Sequence, residues 1–458
     1  MKNHNQTWDT VIIGAGIVGC AMFRKFVLMG SKTLLIEKGG YILSGASKAN
    51  SAILHTGFDA PPESLELDCV KQGHKEYLEI CEQMNLPVDR CGAVVVAWTQ
   101  EQLDKLPKLL EKAHKNGVTD VRQINAQELF KLEPKLSNKA LGALYVPRES
   151  LIDPWSAPYA YVKQAILNGG ECQLNTELKS AKRERDTWVL STNQGKIKTT
   201  NVINCAGLFG DTVENMVRKS PFVIKPRKGQ FVVYDKTAAS LAKQIILPVP
   251  TEITKGVVLT RTAFGNLLVG PTAEEQEDRD HATVEYEQLK GLIEKGCEML
   301  PDLPKHPITT LYAGLRPASE EKCYRINFYP EENWICVGGI RSTGLTAALG
   351  IATYVYDNFK TSFKSKYIPI ENPQVPTVAM ISEFGKRSYQ TDIDSEIVCH
   401  CEKVTRKEIV DVLNGVLPPT EIGGFKRRTR AMMGRCQGFY CSGKVAQITN
   451  DFFKVKVN

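Results

Sequence analysis

Nowhere does the 458-residue chain approach the ~18 uninterrupted apolar residues that a membrane span requires. Its first residues, MKNHNQTWD, lack the apolar core of about 7–15 residues of a signal peptide. A reducing, cytoplasmic setting is therefore expected, with peripheral contact at the inner face of a membrane left open. A disulfide framework is missing too. The 13 cysteines are an odd number, and those from Cys20 to Cys336 stand singly, as buried small hydrophobes do in a reducing cell. Neither sign of charge dominates: the net charge is +7, too modest to point to nucleic acid. There is no internal repeat and no low-complexity stretch. Histidine is scarce, with seven in all, so each one in an unusual context matters.

What is present suits a globular protein of two or three domains. Residues Trp8 to Glu37 read as strand, turn, helix, strand, a βαβ unit. At its turn, Gly14-Ala15-Gly16-Ile17-Val18-Gly19 fits G-x-G-x-x-G. Gly14 permits the tight turn, Gly16 lets the backbone approach a pyrophosphate, and Gly19 lets helix and strand pack closely. The helix then offers free N–H groups and the positive end of its dipole to phosphates. Glu37 closes the second strand, where a carboxylate can accept hydrogen bonds from ribose hydroxyls. The motif alone is weak; its place between strand and helix makes it a specific dinucleotide signal, without separating FAD from NAD.

Further along, helical patterns occupy 65–84, 101–116 and 154–168. Strand-like runs occupy 93–98, 188–192, 202–205, 230–234, 256–260, 267–269 and 334–337. Two strands end in glycine turns. Val202–Cys205 runs into Ala206-Gly207. The run 334–337 continues into Gly339-Ile340-Arg341-Ser342-Thr343-Gly344-Leu345-Thr346 and then a helix, whose N-terminus suits an electron-rich ring edge. Each turn could equally be an ordinary strand–loop connection. Together with SGASKANSAILHTGFD (44–59), GALYVPRESLIDP (142–154), PRKGQFVVYD (226–235), LLVGPTAEE (267–275) and AGLRPAS (313–319), they make residues 8–362 resemble the D-amino-acid oxidase superfamily of flavoproteins. The resemblance implies FAD, with Lys38, Ser47, Ala49, Asn50 and Leu178 joining the glycine turns, Glu37 and the 339–346 loop around it.

The tail differs. Cys399-His400-Cys401 and Cys436…Cys441 form C-x-C-x34-C-x4-C. Four thiolates in two close pairs suit tetrahedral sulfur ligation by an iron–sulfur cluster, and zinc accepts four thiolates as well. From 396 to 458 the chain carries 11 Lys/Arg against 6 Asp/Glu. Lys426-Arg427-Arg428-Thr429-Arg430 lies between the cysteine pairs, either as a stabiliser of an anionic cluster, as a docking stripe for an acidic carrier or anionic membrane, or as a solvated helix face. VCHCEKVTRKEI (398–409) and KRRTRAMMGRCQGFYC (426–441) resemble the bacterioferritin-associated-ferredoxin-like [2Fe-2S] domain, especially the copy ending the large subunit of anaerobic glycerol-3-phosphate dehydrogenases. That likeness implies a [2Fe-2S] cluster on Cys399, Cys401, Cys436 and Cys441.

Oxidation of an alcohol by a flavin needs a base for the hydroxyl proton, and His suits neutral pH. His55 is the histidine outside a plain polar context, although a lone His is more often structural. NSAILHTGFDAPPESL (50–65) resembles the corresponding stretch of mycoplasma-type glycerol-3-phosphate oxidases and L-2-hydroxyglutarate oxidases. That resemblance implies His55 as base, with Ser51, Lys255, Arg316 and Ser342 beside it. The planar fork of Arg316 could clamp a carboxylate or phosphate and Lys255 add a point charge; a surface salt bridge is the alternative for either. Relatives usually have Gly at Ala52 and often Pro at Thr343, so the extra methyl of Ala52 could narrow the pocket.

The expected fold combines α/β and α+β parts. A Rossmann-like FAD-binding domain (1–90, 141–220, 331–366) is intertwined with an antiparallel-sheet substrate domain (91–140, 221–330). A proline-bearing linker (367–395) leads to a small helical [2Fe-2S] domain (396–458). The expected activity is FAD-dependent oxidation of a small anionic secondary alcohol, sn-glycerol 3-phosphate first. Electrons would pass through the cluster to an acceptor protein or quinone-linked subunit. L-2-Hydroxyglutarate is the nearest alternative substrate. An amine or imino acid, or an electron-transfer subunit without turnover, are the others.

Overall fold

The computed structural model describes residues 6–250, 256–363, 366–392, 394–450 and 452–453. Two large sheets organise it. In the first, Thr7–Ile13 is central, flanked in parallel by Thr33–Ile36 and Gly195–Asn204. Trp334–Gly338 runs parallel to Asn204 and its neighbours on the far side. These strands read as near-continuous apolar runs because both faces are covered: every residue of Thr33–Ile36 is buried. Helices Ile17–Leu28, Ser156–Leu167 and Gly344–Ser362 pack into one core with them.

The second sheet is largely antiparallel. Its longest ladder joins Ile224–Tyr234 to Ile308–Ser319 over eleven paired positions. Strands from far upstream, Ala93–Ala97 and Gly142–Val146, belong to the same sheet, through a parallel pairing of Ala93–Ala97 with Ile245–Pro248. The chain therefore enters this sheet, leaves it and returns, as the interleaved strand and helix patterns imply. Helix Leu65–Ile80 and helix Gly344–Ser362 approach closely because Gly73 faces the Thr346 carbonyl and Gly350 the Cys69 carbonyl, leaving no room for a side chain at either glycine. That crossing fixes the short strand Ile53–Leu54, which leads directly into His55: the Thr346 hydroxyl donates to the Ile53 carbonyl (3.2 Å) and accepts from the His55 N–H (3.0 Å).

The proline-bearing stretch after Tyr367 is a strap. Its backbone bonds to Leu28 through Ile370 (2.9 Å) and to Met84 through Val378 (3.1 Å). Lys163 and Asn168 donate to its carbonyls. The C-terminal module follows, a two-stranded ribbon (Ile397–Cys399, Val404–Thr405) with helices Arg406–Leu413, Ile422–Thr429 and Ser442–Thr449. A capping box between Thr405 and Glu408 starts the first helix, satisfying two orphan N–H groups reciprocally. Phe425, Val404 and Ile409 are fully buried at its centre.

The module is docked on the large body, and its basic run does the docking. Arg427, Arg428 and Arg430 are all buried, so the run is neither a solvated helix face nor a stripe for an outside partner. Arg427 donates to the Ile42 carbonyl (3.2 Å). The Arg428 guanidinium lies 3.4 Å from the Tyr159 ring centroid and that of Arg430 4.1 Å from Phe264. Planar guanidinium groups stack on rings and shed water more readily than ammonium, which is why arginine serves here. Arg435 closes the contact through two bonds to Asp235 (3.0 and 2.7 Å).

Candidate active site and cluster centre

The carboxyl ends of three adjacent parallel strands meet along one edge of the first sheet. Ile13 runs into Gly14, Asn204 into Ala206-Gly207, and Gly338 into Gly339. Open α/β sheets bind ligands outside such ends. Gly14 has φ +97°, and a Cβ there would lie 2.7 Å from the Cys205 carbonyl oxygen. A Cβ on Gly19 would collide with the Gly14 carbonyl. Both glycines are thus required by shape. Gly16 caps helix Ile17–Leu28, with Val18 in its first turn. The Ile17 N–H points at Ser47 Oγ (3.0 Å), which places the 46–50 loop over the helix N-terminus.

Glu37 is buried beside this turn. Its carboxylate accepts from the Ala15 N–H (2.7 Å) and the Gly39 N–H (2.8 Å). Burial raises its pKa, and those two donors oppose the rise. Leu178 begins strand Leu178–Glu184, two residues after Thr176, whose N–H donates to the Glu37 carbonyl (2.7 Å). Lys38 sits further out, over the Phe209 ring (3.5 Å) and paired with Asp280. A glycine turn that admits no side chain, a carboxylate at the second strand end, and the 339–346 loop opening a third helix form a cradle that fits FAD.

Arg316 comes from the long antiparallel ladder. Side chains alternate along a strand, so Tyr312, Gly314 and Arg316 share one face. That face covers the 46–50 loop: Tyr312 Oη donates to the Asn50 carbonyl (3.0 Å), and a Cβ on Gly314 would lie 2.5 Å from that of Ala49. Directly opposite stand Arg227, Gly229 and Phe231. A Cβ on Gly229 would lie 2.5 Å from Arg316 Nη2, so this glycine clears the space that the Arg316 guanidinium occupies. Among the described residues Arg316 has no carboxylate partner; its hydrogen bonds go to the Lys228 and Thr272 carbonyls at 3.4 Å each. Burial, with Arg227 and Arg341 adding like charge, brings its pKa down to about 10. A half-buried cation near other cations calls for an anion.

His55 follows the same loop. Its Nδ1 lies 2.8 Å from Oε2 of Glu149, whose side chain is fully buried. Glu149 Oε1 accepts from the Thr56 N–H (2.6 Å) and hydroxyl (2.8 Å). Ser51 is half-buried and Ser342 exposed in the loops on either side. Lys255 lies outside the described residues. Sequence reasoning missed Glu149, Arg227 and Tyr312. Glu149 stands 94 residues from His55, and its one signal is a lone acid within the strand-bearing stretch 142–152. Arg227 could be found only through the strand register.

Two departures from relatives acquire a physical meaning. Ala52 has φ +61°, the left-handed region that favours glycine. Its departure therefore strains the backbone. Thr343 is buried and bonded to Tyr324 Oη (2.7 Å) and Glu66 (2.9 Å), contacts that proline could not make.

In the C-terminal module the four cysteine sulfurs pair two and two: Cys401 with Cys436, and Cys399 with Cys441. Among the described residues no three His, Cys, Asp or Glu side chains are arranged around one ion. Two pairs of thiols fit a two-iron cluster, whereas zinc takes four ligands around a single point. Backbone N–H groups of Tyr440, Gly438 and Phe439 lower the pKa of Cys436 and would stabilise an anionic sulfur. Burial, with Cys399 close by, holds Cys441 up at about 11; a metal would displace that proton. Gly434 packs on Cys401 where any side chain would collide.

Residues 9–357 match the family described as FAD dependent oxidoreductase, and residues 397–450 the BFD-like [2Fe-2S] binding domain. The chain belongs to the FAD dependent oxidoreductase family. This FAD-dependent oxidoreductase carries FAD and a [2Fe-2S] cluster, and the latter makes it an electron-transfer protein as well. It is 33% identical over 453 residues to a glycerol 3-phosphate dehydrogenase of Caloramator mitchellensis, covering 96% of this chain and 93% of that one. It is 31% identical over 272 residues to an L-2-hydroxyglutarate dehydrogenase of Indibacter alkaliphilus, covering 58% and 68%. The dithionite-reduced L-α-glycerophosphate oxidase from Mycoplasma pneumoniae with FAD bound superposes with a TM-score of 0.75 at 26% identity, over 81% of this chain and 98% of that one.

Proposed function

We propose that this FAD-dependent oxidoreductase is a dehydrogenase of sn-glycerol 3-phosphate, which it oxidises at the secondary alcohol to dihydroxyacetone phosphate. The observation that carries the reading is Arg316: a half-buried guanidinium with no carboxylate partner among the described residues, facing Arg227 across the strand pair. A fork of two parallel N–H donors suits a phosphate oxygen pair. Its neighbours Arg227 and Arg341 add the positive field that a dianion needs. His55, ordered by Glu149, takes the hydroxyl proton. A relative that aligns along nearly the whole chain is a glycerol 3-phosphate dehydrogenase, which supports the same substrate. When bound, FAD accepts the hydride of the oxidised carbon and the cluster accepts single electrons. A second reading, L-2-hydroxyglutarate, is supported by the relative from Indibacter alkaliphilus and by the ability of the same arginines to hold carboxylates.

The electron acceptor is an acceptor protein or a quinone-linked subunit. Phe439 and Tyr440, between two of the cluster cysteines, are each 80% exposed and offer it an apolar contact. Among the described residues no helix is long and apolar enough to cross a membrane.

Anaerobic visible spectra recorded during addition of each compound test the substrate. Flavin bleaching with sn-glycerol 3-phosphate, followed by loss of the cluster's broad absorbance, is the expected result. Bleaching with L-2-hydroxyglutarate alone moves the assignment to 2-hydroxyacids. Bleaching with neither overturns both.

A further inference from the structure

Glu149 is a buried acid for which neither cofactor accounts. Its side chain is fully buried, and its partners are His55 Nδ1 and the N–H and hydroxyl of Thr56. Burying a carboxylate in this way is costly unless hydrogen bonds and a positive partner compensate. Among the described residues, the other charged groups around it are Arg148 and His74. Arg148 is engaged by Asp120 through two 2.8 Å bonds. His74 is pulled below its usual pKa by burial, with Glu149 opposing that and Arg148 and Arg90 reinforcing it. The imidazole of His55 is thus the ring this carboxylate touches directly.

We infer that Glu149 is the positioning residue of the reaction: it holds His55 through Nδ1, assigns proton exchange with substrate to Nε2, and stabilises the imidazolium formed when the substrate hydroxyl gives up its proton. Thr56 is the third member of the arrangement. Its two bonds to Oε1 fix the carboxylate, which leaves Oε2 aimed at the ring. The backbone enforces the rest, because the His55 N–H is held by Thr346 at the start of helix Gly344–Ser362. A carboxylate 2.8 Å from Nδ1 favours the charged form of the ring over the neutral one. The proton taken from the carbinol is then held on His55 with the carboxylate as counter-charge, and passes to solvent after the ketone has formed.

The inference rests on the reading of His55 as the base, and the test separates the two. Bleaching of the flavin by sn-glycerol 3-phosphate is followed anaerobically by stopped flow against pH in the wild type, Glu149→Gln, His55→Ala and the double variant. Glu149→Gln is expected to slow bleaching at saturating substrate by about 10–100-fold, with half-saturation changed by less than about threefold. Its acid limb should move to lower pH by about one unit. In the His55→Ala background the same substitution should cost less than about twofold. A readout that needs no turnover is the His55 ring resonance in substrate-free protein, which should titrate at lower pH in Glu149→Gln. Should the Gln variant lose its flavin, Glu149→Asp keeps the charge: a slower rate with an unmoved limb is expected, and a limb moved to lower pH overturns the inference. An unmoved limb and an unmoved resonance in Glu149→Gln overturn the role of Glu149 alone. Full activity in His55→Ala overturns the base and this inference with it. A wild type bleached by neither substrate overturns the substrate reading, while the resonance still decides the pairing.

Discussion

Arg227 and Arg316 stand opposite one another in register on neighbouring antiparallel strands, two like charges where a sheet ordinarily avoids them. An anion bound beside the two guanidinium groups would offset their repulsion. Removing Arg316 should therefore be felt chiefly by the anionic substrate. Loss of a charged hydrogen bond costs about 1.5–3 kcal/mol, roughly 10–150-fold in kcat/KM. The expected outcome for Arg316→Ala is a raised KM with a smaller change in kcat, read from steady-state reduction of an artificial acceptor. An unchanged KM would remove Arg316 from the clamp.

Gly229 gives an independent handle on the same clamp. A methyl at this position would lie 2.5 Å from Arg316 Nη2, so Gly229→Ala must displace the guanidinium without deleting it. The variant should bind FAD normally, by absorbance, yet share the raised KM of Arg316→Ala. A KM equal to that of the wild type would mean that the arginine position is not critical.

Ala52 carries a side chain in a left-handed conformation, which costs about 1–2 kcal/mol for a non-glycine residue. Ala52→Gly should recover roughly 1 kcal/mol after the added flexibility of the unfolded glycine is discounted. A higher urea midpoint at unchanged slope is the expected measurement.

Much of this was readable in the chain because the signals are local. The Gly14–Gly19 turn, the Cys399/Cys401 and Cys436/Cys441 pairs, and strands such as Thr33–Ile36 each declare themselves within a few residues. The Arg316–Arg227 pairing depends on strand register, and so does the His55–Glu149 pairing, which continues the antiparallel register of Ile53–Leu54 with Ser150–Ile152; neither leaves a spacing in the sequence. The fate of the basic run was hidden for the same reason. Lys426–Arg430 has the composition of a solvated face, and only the tertiary contacts with Tyr159 and Phe264 reveal arginines buried in an internal interface.

That interface has its own pH signature. Asp235 is held at a pKa of about 2 by the Arg435 guanidinium. Its folded value is below the unfolded one of about 3.9. The contribution of the pair is therefore full above the unfolded pKa and is lost as pH falls through that value towards the folded one. Asp235→Asn should destabilise modestly at pH 7, by up to about 1 kcal/mol given the exposure of Arg435. The difference from the wild type should shrink between about pH 4 and pH 2. Urea unfolding of both proteins at several pH values measures this; a difference that grows on acidification contradicts the pairing.

The cluster should also hold its own module together. Cys399 and Cys441 are 1% and 2% exposed and belong to the small apolar core that includes Phe425 and Val404. A segment of this size buries little surface on its own, and metal binding there is also folding free energy. Cys399→Ser should abolish the cluster's iron while leaving flavin content and substrate-driven bleaching intact, because no FAD-cradle residue is touched. Electron delivery to an acceptor protein should fall, and trypsin should cut within 397–450 faster than in the wild type. The arginines docked against Tyr159, Phe264 and Asp235 oppose that loosening. Unchanged cleavage would show that docking alone sustains the module, with the cluster serving electron transfer and not structure.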